Sequence, residues 1–363
     1  MTLFSSHALA NHGSGLGLAG LALAFCAESL TAQSSELRLV EELRLGRVDG
    51  SGPDVFANID DLAIDAHGRI YVADVGWREV RLFDRGGRFV RSLAPEGDGP
   101  GERRYWPAAV STRITWDPHR ARLWIDDGLH LLVLDSLGAE YARETREPGF
   151  LPGNREPMGK VLRVDARGRL YEILQGPSGR DSTHVYLSRG TADSEYAFVP
   201  ERTLRIEARG IIRGPPQTRR IGRGTLTGTL NEHEPPQTAW AVSPAGELWG
   251  AGIDEPRAWE LSFTGDTLRT MSLAGAAGSK RMELDISPEG WFWLRREVGS
   301  GTGSTWDLLD NCGAYLGSAS VPNNVSLTEV GAGGRIHAVA SDALGVEYIL
   351  RLRLETNVEP RRC

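Results

Sequence analysis

From residue 34 onward the chain is written in short alternations of apolar and polar residues. In "SSELRLVEELRLG" (residues 34–46), Leu37, Leu39, Leu43 and Leu45 share one parity. That parity predicts a half-buried strand, because successive strand side chains point to opposite faces. Leu39, Val40 and Leu43 also fit a helical stripe, so a capping helix is the competing expectation. Four more strands are predicted downstream from "IDDLAID" (59–65), "RIYVADV" (69–75), "VRLFD" (80–84) and "RFVRSL" (88–93), joined through the tight turns "AHG" and "RGG". Glycine supplies the positive φ that such turns need. The second run is apolar at both parities through Ile70, Tyr71 and Val72, the pattern of a strand covered on both faces.

This unit recurs. "GRIYVAD", "ARLWIDD", "GRLYEIL", "GELWGAG", "GWFWLRR" and "GRIHAVA" place Tyr71, Trp124, Tyr171, Trp249, Trp293 and His337 at one register. Their spacings of 53, 47, 78, 44 and 44 residues match the period of a four-stranded blade, with one insertion of roughly thirty residues in the third interval. The fold class that follows is all-β: a six-bladed β-propeller. Fourth strands are predicted at 88–93, 139–143, 195–199, 266–273 and 314–319. The sixth blade runs out after "VEYILRLRL" (346–354), before its own fourth strand. The strand at 37–45 fills that place, closing the ring with both chain ends and hiding open edges.

Composition agrees with many turns and few long helices: 44 glycines, 19 prolines and 40% hydrophobic residues in 363. The net charge of −7, spread along the chain, argues against a nucleic-acid partner. Residues 16–27, "LGLAGLALAFCA", are too few to span a bilayer comfortably and precede small residues suited to cleavage near Ala32 or Gln33. We therefore expect a signal peptide at 1–33, a single propeller domain at 34–363 without a transmembrane segment, and a secreted or periplasmic monomer. A lipoprotein acylated at Cys26 is disfavoured by the Phe25 before it. Without the leader, two cysteines remain. Cys312, in a blade-five turn, and Cys363, just beyond the third strand of blade six, fall on the turn face of adjacent blades, so an oxidising compartment would let them pair.

Residues 50–102 resemble the exported bacterial six-bladed propellers related to NHL repeats, including their "GxGPGE" loop, here Gly97-Asp98-Gly99-Pro100-Gly101-Glu102. "TAWAVSPAGELWG" and "FTGDTLRT" are similar to a further blade of the same proteins. The resemblance implies the fold; function in such proteins lies in loops. Where NHL-type blades often carry Asn-His, this chain has Trp77-Arg78-Glu79-Val80.

The working face is the one carrying the second-to-third-strand loops and the blade-to-blade connections. Trp77 and Arg78 lie there, as does an Arg-rich inter-blade insertion at 202–236. Its first part, "RTLRIEARGIIRGPPQTRRIGR", holds seven arginines against Glu207. As a solvated loop it would balance acidic neighbours. As a rim, Arg213, Arg219, Arg220 and Arg223 would grip a carboxylate or phosphate in forked pairs. The function expected is binding of a protein, peptide or small anionic ligand, with no cofactor required and no metal site assigned. The alternative is a propeller enzyme, a lyase or lactonase-type hydrolase, with a metal in the channel. For it, His130, His184 and His233 lack close ligand spacing, while Asn58, Asp60 and Asp61 imitate only part of a calcium set. Asp74, Asp126 and Asp127 close second strands, where carboxylates commonly accept loop amide hydrogens.

Overall fold

One turn design is used nine times among the described residues. Asp65, Asp84, Asp135, Asp165, Asp310 and Asp342 each accept, on Oδ1, the amides two and four residues ahead at 2.8–3.0 Å. The residue three ahead is always glycine, with φ between 75° and 94°, a region closed to most side chains. Ser243, Ser262 and Ser287 take the same place before Gly246, Gly265 and Gly290. Each such [Asp/Ser]-x-x-Gly turn reverses the chain between antiparallel strands.

The computed structural model describes residues 37–103, 112–127, 130–145, 156–176, 182–192, 198–221, 224–233, 238–252, 255–273, 281–297 and 303–356, all within the unit Ser34–Cys363. After β1 (Arg38–Leu45), blade one comprises β2 (Ile59–Ile64), β3 (Ile70–Asp74), β4 (Glu79–Phe83) and β5 (Phe89–Leu93). Blade two comprises β6 (Arg113–Asp117), β7 (Arg122–Asp126), β8 (His130–Asp135) and β9 (Glu140–Thr145). Blade three contains β10 (Glu156–Val164), β11 (Arg169–Gly176), β12 (Ser182–Ala192) and β13 (Phe198–Ile221), with β14 (Gly224–His233) added beyond it. Blade four is β15 (Thr238–Val242), β16 (Leu248–Gly252), β17 (Arg257–Leu261) and β18 (Thr267–Ser272). Blade five is β19 (Arg281–Ile286), β20 (Phe292–Glu297), β21 (Ser304–Leu309) and β22 (Tyr315–Val321). Blade six is β23 (Val325–Val330), β24 (Arg335–Ser341) and β25 (Glu347–Glu355), completed by β1 in the order β1-β25-β24-β23. The six antiparallel blades form a propeller. No helix of the described residues is long and apolar enough to cross a membrane.

The aromatic register is the core. Tyr71, Trp124, Tyr171, Trp249, Trp293 and His337 are all buried. Several meet an aromatic of the next blade: Tyr71 stacks on Trp116 at 5.4 Å, Tyr171 meets Phe263 at 5.9 Å and Trp249 meets Phe292 edge-on at 4.7 Å. His337 occupies its register place as a buried neutral ring. Burial first, then Arg351 and Arg335, pull its pKa down to about 4.

The closing strand pairs Leu39 with Leu354 and Leu45 with Ile349, with a bulge between Glu41 and Leu43. Leu37 donates its amide to Ser318 O of blade five at 2.8 Å and packs with Trp293, Trp306 and Leu350. Glu42, at the bulge, faces three arginines: Arg353 at 3.1 Å, Arg351 at 3.4 Å and Arg335 at 4.0 Å. Arg335 and Arg353 sit directly opposite on β24 and β25, a pairing that repels unless a carboxylate lies between them. The capping-helix expectation is thereby replaced by a strand.

Blade three departs from its predicted plan. A fourth strand at 195–199 followed by a loop was the expectation, and residues 193–197 lie outside the described residues. Instead β13 pairs with β12 from Phe198 to Gly210 and then continues as a hairpin with β14, Ile211 opposite His233 through Ile221 opposite Gly224. The physical reason is alternation: Leu204 and Ile206 fall on one face and pack against Tyr171 and Leu187. Much of the Arg-rich insertion is therefore strand. Arg213, Arg219 and Arg220 occupy β13 opposite Asn231, Leu226 and Thr225, and Arg223 lies outside the described residues.

Candidate functional site

On the loop face of blade one, the segment after β3 is a small rigid platform. Asp74, fully buried at the end of β3, accepts the amides of Ala57 (3.1 Å), Asn58 (3.2 Å) and Trp77 (3.1 Å). This is the amide-accepting role expected of that carboxylate. Arg78 turns the chain with φ of 60° and pairs with Glu96 at 3.0 and 2.8 Å. Beneath them Arg81 is buried. It donates Nη1 to Pro53 O (2.9 Å) and Val55 O (2.6 Å) and Nε to Glu79 (2.6 Å). Its guanidinium also lies 5.4 Å from the Trp77 ring centroid and 5.9 Å from that of Phe56. Trp77 itself is 53% exposed.

The "GxGPGE" loop leads from blade one to blade two and is stapled to itself. The Gly97 amide donates to Arg103 O and that of Arg103 to Pro95 O, both at 2.9 Å, while Glu102 Oε2 accepts the Gly99 amide at 2.8 Å. Arg143 and Glu140 of β9 hold the loop from outside, Arg143 donating to Gly99 O at 3.2 Å and Glu140 accepting the Gly101 amide.

The channel is lined by charges on the inner strands. Asp61 (β2) accepts the amides of Ile114 on β6 and of Leu62, each at 2.9 Å, and Asp60 accepts that of Thr112. Arg113 (β6) pairs with Asp126. Arg163 (β10) reaches Val242 O of blade four at 3.0 Å and Asp285 of blade five at 3.1 Å. Asp61 and Glu329 keep part of their surface accessible, while the blades around them desolvate their carboxyls. Burial pushes the Asp61 carboxyl up to about 7 against the pull of amide donors and Arg113. Burial also pushes Glu329 up to about 8, with Asp285 and Asp61 raising it further and Arg163 opposing.

Among the described side chains histidine contributes little here, and those of His184 and His233 lie outside them. His130 is tied to Asp127, its amide at 2.6 Å and its ring Nδ1 at 3.3 Å. His67 and His119 sit in turns, their amides donating to Asp65 and Asp117. Among the described residues no group of three His, Cys, Asp or Glu side chains is arranged to hold a metal ion. Arg113, Arg163, Asp285 and Glu329 are absent from the sequence expectations. The signal was a shared position: Arg163, Asp285 and Glu329 each stand two residues before the turn, where Ala63, Thr115 and Ala241 stand in other blades.

No family model matches the chain, and no curated protein matches it. Solved structures do. A member of the DUF4221 family from Bacteroides vulgatus superposes with a TM-score of 0.52 at 8% identity, over 89% of this chain and all of the other. Regucalcin from Agrobacterium tumefaciens, a calcium-binding protein, gives 0.43 at 14% over 89% and 97%. Virginiamycin B lyase from Staphylococcus aureus gives 0.43 at 10% over 88% and 100%. The likeness is one of fold. These are propellers.

Proposed function

We propose that this chain is an exported binding module that takes a protein, peptide or small anionic ligand on its loop face, with Trp77 as the anchor. The observation that carries this reading is Trp77: a large aromatic left more than half exposed while its backbone is fixed by Asp74 and its ring backed by buried Arg81. Rigid exposed aromatics lose little entropy on binding and are enriched among the residues that dominate interface energies. Arg78 is already paired with Glu96, so its part is to shape the platform. Arg213, Arg219 and Arg220 of the blade-three hairpin, together with Arg223, supply the cationic side of the same reading.

An array of anionic glycans, peptides and phosphorylated ligands, probed at two salt concentrations, tests it. Wild type is expected to bind at least one class. Trp77→Ala should weaken that binding about tenfold or more without lowering the melting temperature. Arg219→Ala/Arg220→Ala should weaken it most at low salt, since exposed charges are screened over about 10 Å at 0.1 M. Equal binding by all three proteins, or none by wild type, overturns the proposal.

Export belongs to the same proposal, with the leader at 1–33 removed and Cys312 joined to Cys363. Cys312 lies in the β21–β22 turn, its amide donating to Asp310 at 3.0 Å, and Cys363 lies outside the described residues. Thiol labelling of denatured, non-reduced exported protein is expected to find no reactive cysteine. Two reactive thiols would refute the bridge.

A further inference from the structure

We propose that the Arg163 guanidinium is the resident cation of the channel: it takes, from within the chain, the position among the inner-strand carboxylates that a metal ion would need. The geometry is a span across blades. Arg163 leaves blade three, donates Nη1 to a blade-four carbonyl at 3.0 Å and reaches Asp285 of blade five at 3.1 Å. Its charge is also felt at Glu329 of blade six, alongside those of Asp285 and of Asp61 from blade one. The equivalent sequence positions in blades one, two and four are Ala63, Thr115 and Ala241. These short side chains leave room for the long arginine stem to cross.

The channel oxygens do not fit a calcium ion. Calcium asks for about six to eight oxygen ligands at about 2.3–2.6 Å. Here the carboxylates already accept N–H donors, and the cationic donor among them is Arg163. Asp61 accepts from Ile114 and Leu62, Asp285 from Ile286 (2.7 Å) and Arg163, and Glu329 from Ile64. Glu283, next along β19, is held by Arg295 at 3.0 Å, and Arg113 by Asp126. A dication entering this set would have to displace the guanidinium that shares Asp285. Of the partial calcium set read from Asn58, Asp60 and Asp61, the two carboxylates are engaged in the same way: Asp60 and Asp61 accept the Thr112 and Ile114 amides and stitch blade one to blade two.

The test is calcium titration by calorimetry and thermal shift on wild type and Arg163→Met at pH 6.0 and pH 8.5. Wild type is expected to show no binding heat and no calcium-dependent rise in melting temperature. Arg163→Met, which frees Asp285 and lets the carboxyls of Asp61, Asp285 and Glu329 close up on one another, is expected to gain a calcium site that is tighter at pH 8.5, because ligand carboxylates must lose their protons. Adding Asp285→Asn should abolish the gain. The proposal is overturned if wild type binds calcium and loses it on Asp285→Asn, or if folded Arg163→Met shows no calcium effect at pH 8.5. Should Arg163→Met fail to fold in either buffer, the wild-type titration decides: one equivalent bound refutes the proposal, and none upholds it.

Discussion

A chain lacking residues 37–45 should fail to accumulate as a soluble folded protein, or should melt well below the intact one. The deletion removes the outer strand of blade six, whose register runs from Arg38 opposite Glu355 to Leu45 opposite Ile349. It also uncovers the surfaces on which Leu37 and Leu45, only 3% and 6% exposed, are packed. Two fully buried leucines are worth about 3–6 kcal/mol together. Whole-domain stability is only about 5–15 kcal/mol, so this loss alone takes a large share of it. The bared β25 edge would meanwhile offer itself to other chains. Light scattering and differential scanning calorimetry are the measurements, and an unchanged melting temperature would sink the closure argument. A milder companion is Glu42→Gln, which leaves Arg335, Arg351 and Arg353 converging without their carboxylate. It should cost on the order of 1 kcal/mol, lowering the melting temperature by about 2 °C, less in high salt.

The closing strand was legible in the sequence because its logic is arithmetical: five blades have a fourth strand and the sixth does not. The aromatic register was legible for a similar reason. Tyr71, Trp124, Tyr171, Trp249, Trp293 and His337 stand in near-identical local contexts, and a local context repeated six times needs no tertiary knowledge. The blade-three hairpin was hidden by composition. Pro215-Pro216 and seven arginines read as a loop, since proline is confined to edges and bulges of sheets. Here Pro216 sits at the bulge between Arg213 and Pro216, on the part of β13 that runs beyond its pairing with β12. The regular alternation of Thr225-Leu226-Thr227 and of Leu204-Arg205-Ile206 was the better guide. The channel charges were hidden for a different reason. Arg163, Asp285 and Glu329 are far apart in sequence and acquire a common environment only when the ring closes.

That common environment sets the expected pH dependence. Glu329 and Asp61 hold their protons up to about 8 and about 7 in the folded state, against ordinary values of 4.5 and 3.8. Between those limits the native protein binds protons that the unfolded chain has released, so stability must fall as pH rises through 7 and 8. Glu347, raised by its burial near Ile59, acts in the same direction. His337 opposes: its depressed pKa of about 4 makes the unfolded chain the better proton binder below about 6.5. One histidine against two or more carboxyls leaves the slope negative there, and above that pH the carboxyls act alone. On the acid side, Asp84 and Asp342 are held below the usual carboxylate range by the turn amides they accept, and Glu140 by Arg143. Their contribution is present at neutral pH and disappears as pH falls through their folded values. Stability should therefore peak in acidic buffer, at about pH 4 to 4.5, where the unfolded carboxyls titrate. The melting temperature at pH 5.5 should exceed that at pH 8.5 by several degrees, because each pKa unit retained is worth about 1.4 kcal/mol. Glu329→Gln, which cannot ionise, should flatten the alkaline limb while leaving the acid limb in place. A wild-type melting temperature that climbs steadily to pH 8.5 would show that the channel carboxyls are ionised, and that the guanidinium of Arg163 and the amide donors outweigh burial.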